Sequence, residues 1–339
     1  MKAVVYYEHG GPEKLVYEDR PEPTIKKGEA LIKVEACALN RLDILTRKGV
    51  IKTTAPLPHI LGCDIVGYVE KQDGGDLPIG SPVLVHPYLT CGRCIHCLSG
   101  NENCCISLKL IGFHTDGGYA EYVNAPLTNL IPLNPKIPLE EYAAIPIDYT
   151  TVWHALITRG GLKVGETILI WAGGSGAGTV ATRLAKIVGA TVFTTVGSGE
   201  KAKKAQLFAD HVLNHYTDDV PSLVKEATGG RGVDVVLDYV GSATWRRSLE
   251  CLAVGGRMIT FGGLSGYTGE IDIRAFYTKH LTLIGTYGGT RVDLLKALAF
   301  VEKGLLRPII DSIYPLKEAR SAHVKMEENR HFGKILLKP

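Results

Sequence analysis

The sequence predicts an α/β protein in two parts: a compact β domain with a metal-stapled lobe, and a doubly wound parallel sheet. Three observations predict this. Residues 1 to about 130 hold short apolar runs punctuated by Gly and Pro. Within them, Cys91, Cys94, Cys97 and Cys105 set four thiols in fifteen positions. Beyond about 140 the pattern changes to apolar strands alternating with helical periodicity, the signature of a parallel sheet covered on both faces.

The first part reads as β because Ala30-Leu31-Ile32-Lys33-Val34, Ile65-Val66-Gly67-Tyr68-Val69 and Pro82-Val83-Leu84-Val85 are short and rich in β-branched residues. Leu77-Pro78-Ile79-Gly80-Ser81-Pro82 reads as a turn. In the second part, Thr167–Trp171 is a buried strand, and Gly176–Gly189 carries Val180, Leu184, Ile187 and Val188 at helical spacing. Strands follow at 190–196, 211–214, 233–240 and 256–261, with helices near 199–209, 221–228 and 244–253. Residues 281–286 form another strand, a helix lies near 291–303, and 333–337 is a final strand expected to return to the first domain. The expected division is 1–135 with a lobe at 88–108, then 136–288, then 289–339.

The chain has 339 residues, 45% hydrophobic and 22% charged, which suits an ordinary globular protein. A net charge of +3 is too small to argue for nucleic acid or an anionic membrane surface. No apolar run reaches a membrane span, and the N-terminus turns polar at Glu8 and His9, without a signal-peptide core. A cytoplasmic location is therefore expected. In that setting, five of eight cysteines between 91 and 105 point to metal rather than disulfides. The thiols at 91, 94, 97 and 105 suit a closed tetrahedral Zn²⁺ site, one ion per chain. Cys104 is a spare thiol and His96 has no role in the spacing. A closed site stabilises its lobe and has no open position for chemistry. A nucleic-acid zinc ribbon would need a basic stripe, which this segment lacks.

Between Trp171 and Gly176 the chain must turn from strand to helix and let backbone N–H groups approach a pyrophosphate. Glycines permit this, and the helix N-terminus supplies partial positive charge. Gly173, Ser175 and Gly178 fall on the G-x-G-x-x-G fingerprint, with serine in the middle position and Gly174, Gly176 and Ala177 beside it. The next strand ends at Val196-Gly197-Ser198 with no acid to take ribose hydroxyls, while Lys201, Lys203 and Lys204 follow. NADP(H) is expected; Glu200 leaves NAD(H) open.

With these motifs in place, the chain resembles the medium-chain dehydrogenase/reductase superfamily over essentially its full length. It is most similar to the zinc-lobe, quinone oxidoreductase-like branch. Ala38-Leu39-Asn40-Arg41-Leu42-Asp43, Gly117–Tyr122, Ala143–Pro146 with Thr151–Leu156, Asp234–Asp238 and the closing Gly333-Lys334 carry the resemblance. It implies a GroES-like β catalytic domain, a Rossmann domain, an active site in the cleft between them, and hydride transfer from a nicotinamide to a ketone, enone or quinone. It assigns Cys91, Cys94, Cys97 and Cys105 to a structural zinc. It also implies cofactor contacts by Thr151, Tyr216, Val240, Gly262, Gly263 and Leu264, and a homodimer or homotetramer paired through 281–286.

Zinc alcohol dehydrogenases of this superfamily keep a second, catalytic zinc. Asn40, Gly62-Cys63-Asp64 and Ile147-Asp148 stand at its three ligand positions here, and Leu42 replaces the relay hydroxyl. Hydride transfer without catalytic zinc is therefore expected, with the Asn40 amide as donor to the substrate oxygen and Asp64 or Asp148 as proton source. The runner-up is an alcohol dehydrogenase with a metal on Cys63, Asp64 and Asp148. A non-catalytic dinucleotide-binding protein is the reading from another class. Asp148 would alternatively cap a helix starting near Thr150.

Overall fold

The computed structural model describes residues 1–339 and divides into two compact units, Met1–Ile147 with Arg307–Pro339, and Asp148–Leu306. No helix is long and apolar enough to cross a membrane.

The first unit is β-rich. Its ten-residue strand Glu29–Ala38 is the hub, pairing antiparallel with Asp64–Gln72, Tyr122–Pro126 and Lys334–Lys338. Pro82–Val85 and Leu130–Pro132 extend the sheet on one side, and Ile310–Pro315 runs parallel to Lys334–Lys338 on the other. A small sheet of Val16–Asp19, Lys2–Tyr6 and His59–Ile60 completes the body. Alternate residues Ile32, Val34, Ile65, Val83, Val85, Ile335 and Leu337 face one core, as period-two side-chain direction requires. The returning terminal strand is the expected one, and its register sets the site: Leu336 opposes Ala38, and Ala38 opposes Asp64. Asn40, Asp64 and Lys334 therefore gather at one end of the sheet.

The lobe is closed at its base by a two-stranded ladder, Tyr88–Leu89 with Lys109–Leu110. It has little core: Ile95, Leu98 and Ile106 are each more than 70% exposed. A segment with so little buried apolar surface needs another source of stability.

The second unit holds six parallel strands in the order His211–Asn214, Thr191–Val196, Thr167–Ile170, Val233–Leu237, Leu252–Thr260, Thr282–Gly285. In chain order this is 3-2-1-4-5-6, the doubly wound arrangement whose strand order reverses beside the first strand. The first crossover helix, Gly176–Val188, ends on Gly189 at φ +92° and buries Val180, Ala181, Leu184 and Ala185. Ile187, expected on the apolar face, is 40% exposed.

Two boundaries differ from expectation. The units divide at 147/148 and 306/307, not near 135 and 289. Helix Arg291–Glu302 stays in the second unit because its capping Asp293 accepts hydrogen bonds from His154 Nδ1 at 2.7 Å and Thr158 Oγ1 at 2.6 Å. The helix expected to start near Thr150 begins at Pro146, a residue preset for a first helical turn, so Asp148 lies inside that turn rather than capping it.

Candidate functional site

The glycine loop makes close contacts that admit no side chain at Gly173 or Gly178. A Cβ on Gly173 would lie 2.0 Å from Thr194 Oγ1, and one on Gly178 2.3 Å from the Ala172 carbonyl. Ser175 at the middle position caps the helix, its Oγ accepting from Gly178 N–H at 3.0 Å. The N–H groups of Gly176 and Ala177 precede any intrahelical acceptor, so they remain as anion donors at the positive end of a thirteen-residue helix. The loop thus fits a pyrophosphate. Tyr239 supports it from below: its hydroxyl lies 3.0 Å from Ser175 Oγ and donates to Ala172 O at 3.2 Å. Burial raises the Tyr239 phenol far above its usual range, so it acts as a neutral hydrogen-bonding group.

Apart from Thr151, the other expected cofactor positions also follow the ends of parallel strands. Gly197 closes against the rings of Tyr216 and His215; a Cβ there would sit 2.7 Å from Tyr216 Cε2 and 3.1 Å from His215 Nε2. Ser198 caps the next helix through Lys201 N–H, so its hydroxyl is partly spoken for. Tyr216 is 76% exposed yet packs on that tip. Burial, with Arg247 and Lys201 nearby, lowers the His215 pKa, so positive charge already surrounds the tip. The turn at Val240-Gly241 lies backbone to backbone on the loop 262–266: Ser265 donates to Val240 O at 2.8 Å, and Gly241, at φ +95°, has no room for a Cβ beside Gly263. Leu264 is exposed on that loop, and Thr151 is buried on its helix. Asp238 shapes the turn by accepting from Val240 N–H at 2.9 Å and Gly241 N–H at 3.1 Å. Its other oxygen takes the Ser248 hydroxyl, which in turn accepts from Trp171 Nε1.

In the first unit, three buried side chains form one cluster. Lys334 Nζ donates to Asp64 Oδ2 and to Asn40 Oδ1, each at 2.8 Å. Asn40 Nδ2 donates to Asp64 Oδ2 at 3.0 Å, and Ile147 N–H donates to Asp64 Oδ1 at 2.8 Å. Lys334 and Asp64 are almost fully inaccessible. Asn40 N–H is held by Asp43 Oδ2 at 2.8 Å, which starts helix Arg41–Arg47. Behind it runs a buried chain of donors. Arg47 donates to His323 Nδ1 at 3.0 Å, His323 Nε2 to Tyr119 Oη at 3.1 Å, and Tyr119 to Asp43 Oδ2 at 3.1 Å. Because Arg only donates, His323 carries its proton on Nε2 and is neutral, in keeping with burial driving its pKa well down. Burial pushes the Asp43 carboxyl up to about 7, and its Oδ1 accepts no hydrogen bond. Cys63 is buried, and burial with the Asp43 and Asp64 carboxylates holds its thiol well above the usual range. Asp148 belongs to the other unit.

The four lobe cysteines converge, their sulfurs all lying within 4.8 Å of one another. Cys94–Cys97 and Cys91–Cys97 sulfurs are 3.5 and 3.9 Å apart. A tetrahedral Zn–S₄ cage with bonds of about 2.3 Å has sulfurs about 3.8 Å apart. Cys105 Sγ also accepts the N–H groups of Cys91 at 3.3 Å and Ser107 at 3.4 Å, which fix its place in the cluster. Zinc therefore fits, held by Cys91, Cys94, Cys97 and Cys105; Cys104 stays exposed outside the cluster.

The motifs exposed most of this, but not Lys334, Asp238, Tyr239, His215 or Arg247. Asp238 and Lys334 lay in segments already singled out; nothing local tied Lys334 to Asn40, 294 positions away.

Residues 26–135 match the alcohol dehydrogenase GroES-like domain, and residues 176–303 match the zinc-binding dehydrogenase domain. An alcohol dehydrogenase of Geobacillus stearothermophilus is 32% identical over 344 residues, covering 100% of this chain and 99% of that protein. A quinone oxidoreductase of Pongo abelii is 30% identical over 331 residues, covering 95% and 93%. The crystal structure of an NAD-dependent alcohol dehydrogenase superposes with a TM-score of 0.95 at 37% identity, covering all of both chains. The chain belongs to the medium-chain dehydrogenase/reductase superfamily, and it is an oxidoreductase with a GroES-like domain and a Rossmann-like parallel sheet.

Proposed function

We propose that the protein reduces ketones, enones or quinones with NADP(H), and that its zinc is confined to the lobe. The observation that carries this reading is the Lys334 ammonium at 2.8 Å from Asp64. A metal dication sharing Asp64 would meet that like charge at close range in a buried setting. That like charge is what speaks against the alternative set built on Asp64 as a catalytic zinc site. The acid-free tip at Gly197-Ser198, with Lys201, His215 and Arg247 around it, supports NADP(H).

A bound reduced nicotinamide supplies hydride. Gly176 and Ala177 N–H groups would hold the pyrophosphate, and the turn at Val240-Gly241 with residues 262–264 would border the cofactor. Asn40 has one Nδ2 proton committed to Asp64 and one uncommitted, which is the donor for a substrate oxygen as negative charge grows there. Asp64 accepts from Asn40 Nδ2, Ile147 N–H and Lys334 Nζ, so it orients Asn40. The edge strand Thr282–Gly285 is the surface through which a dimer or tetramer would pair.

The test is a panel of ketones, enones and quinones followed by NADPH absorbance, with Kd measured for NADPH and NADH. NADPH oxidation with at least one acceptor, and tighter binding of NADPH, is expected. The reading fails if no acceptor is reduced. A second reading, NAD(H) as cofactor, is favoured by the name of the 37% identical NAD-dependent enzyme, and an inverted Kd ratio would select it.

A further inference from the structure

Asn40 has two chemically opposite edges, and its neighbours sort them. An ammonium only donates, so the edge toward Lys334 must be the carbonyl oxygen. An ionised carboxylate only accepts, so the edge toward Asp64 must be the NH₂. Each partner alone would fix one edge; together they leave a single orientation. Lys334 also bonds Asp64 directly, closing a three-membered ring of hydrogen bonds among buried groups. Its backbone supports the placement: Lys334 opens the terminal strand, and Ile335 O accepts Leu39 N–H at 2.9 Å, tying that strand to the residue before Asn40.

We propose that Lys334 is a positioning residue for the reaction: its buried ammonium locks the Asn40 amide with the N–H edge outward as donor and holds Asp64 as a permanent acceptor. The inference rests on Asn40 being the donor to the substrate oxygen. Without the ammonium, the amide is free to rotate and present its carbonyl to a developing anion, which opposes the reaction instead of assisting it.

The experiment uses the full-length enzyme and the variants Lys334→Met, Lys334→Arg and Lys334→Met/Asp64→Asn. The Lys334→Met variant should lose about 100-fold in kcat with KM and the NADPH Kd moved much less, as expected when a transition-state donor is misaligned. Lys334→Arg should recover most of the loss. The double variant removes both charges of the pair, so it should restore the melting temperature but not kcat. If it restores kcat, Lys334 is only a counter-ion. If Lys334→Met keeps kcat and instead weakens NADPH binding, Lys334 is a phosphate contact. Either result overturns the proposal.

A readout independent of turnover separates this from failure of the functional reading. In protein labelled with ¹⁵N-asparagine, Asn40→Ala identifies the Asn40 side-chain signals. The wild type should show two resolved, exchange-protected Nδ2 protons, lost in Lys334→Met and regained in Lys334→Arg. Unchanged signals in Lys334→Met would refute the lock even if no substrate is found.

Discussion

Asp43→Asn should stabilise the first unit at alkaline pH, with a gain that shrinks through mild acid and vanishes below pH 3.8. Asp43 is fully buried, its Oδ2 takes Asn40 N–H and Tyr119 OH, and its Oδ1 accepts nothing. Burial comes first among the causes that raise its carboxyl from 3.8 to about 7, with the Asp64 charge adding to the rise; the Asn40 N–H, Tyr119 and Lys334 oppose it. The folded carboxyl binds its proton more tightly than the unfolded one. That favours folding fully below 3.8 and is lost as pH rises through about 7. The gap between 3.8 and about 7, at about 1.4 kcal/mol for each tenfold change in proton affinity, gives roughly 4 kcal/mol as a ceiling. Asparagine keeps the oxygen acceptor and never ionises. For a unit of this size, about 1 kcal/mol moves the midpoint by roughly 2–4 °C. Melting curves of both proteins between pH 5 and 8.5 should therefore diverge as pH rises, with the variant higher by at most roughly 8–16 °C at the alkaline end. Parallel curves with a constant offset would mean that Asp43 does not titrate in this range.

Further expectations follow from the same contacts. Stripping zinc, or replacing Cys94 with Ser, should unfold the lobe selectively, since a structural zinc supplies about 10–16 kcal/mol of folding free energy; limited proteolysis should then cut between 91 and 105 while the parallel-sheet unit survives. Tyr239→Phe removes the hydroxyl beneath Ser175 and should weaken NADPH binding by about 5–10-fold, the scale of one net hydrogen bond, as read by titration of the cofactor's fluorescence. Asp293→Asn should destabilise the second unit by about 2 kcal/mol at pH 7. Although burial opposes it, His154 and the surrounding hydroxyl and N–H donors hold that carboxyl down at about 2, so its contribution is present above 3.8 and disappears as pH falls through about 2. Denaturation at pH 7 and in strong acid checks it; an equal loss at both would contradict the linkage.

Features with a local cause were legible in the sequence. Strand 211–214 and the helix from Gly176 follow from apolar runs, helical spacing and the glycine fingerprint, and the cysteine cluster follows from spacing alone. Features with a distant cause were not. Asn40 was visible as a substituted position, but its partner Lys334 arrives only through the register of the last strand against Ala38. Helix 291–302 read as part of the returning segment because sequence order says nothing about the His154–Asp293 bond. The alternative reading of Asp148 as a cap placed the helix start near Thr150, whereas Pro146 opens that helix. Tyr239 carries no motif; its role depends on serine replacing glycine 64 positions earlier.

The most direct test of the claim that the metal is scaffolding is zinc per chain measured beside kcat over samples of graded zinc content. The account predicts one tightly held zinc per chain, with turnover per folded chain indifferent to any added metal. Turnover that rises in step with a second bound equivalent would contradict it.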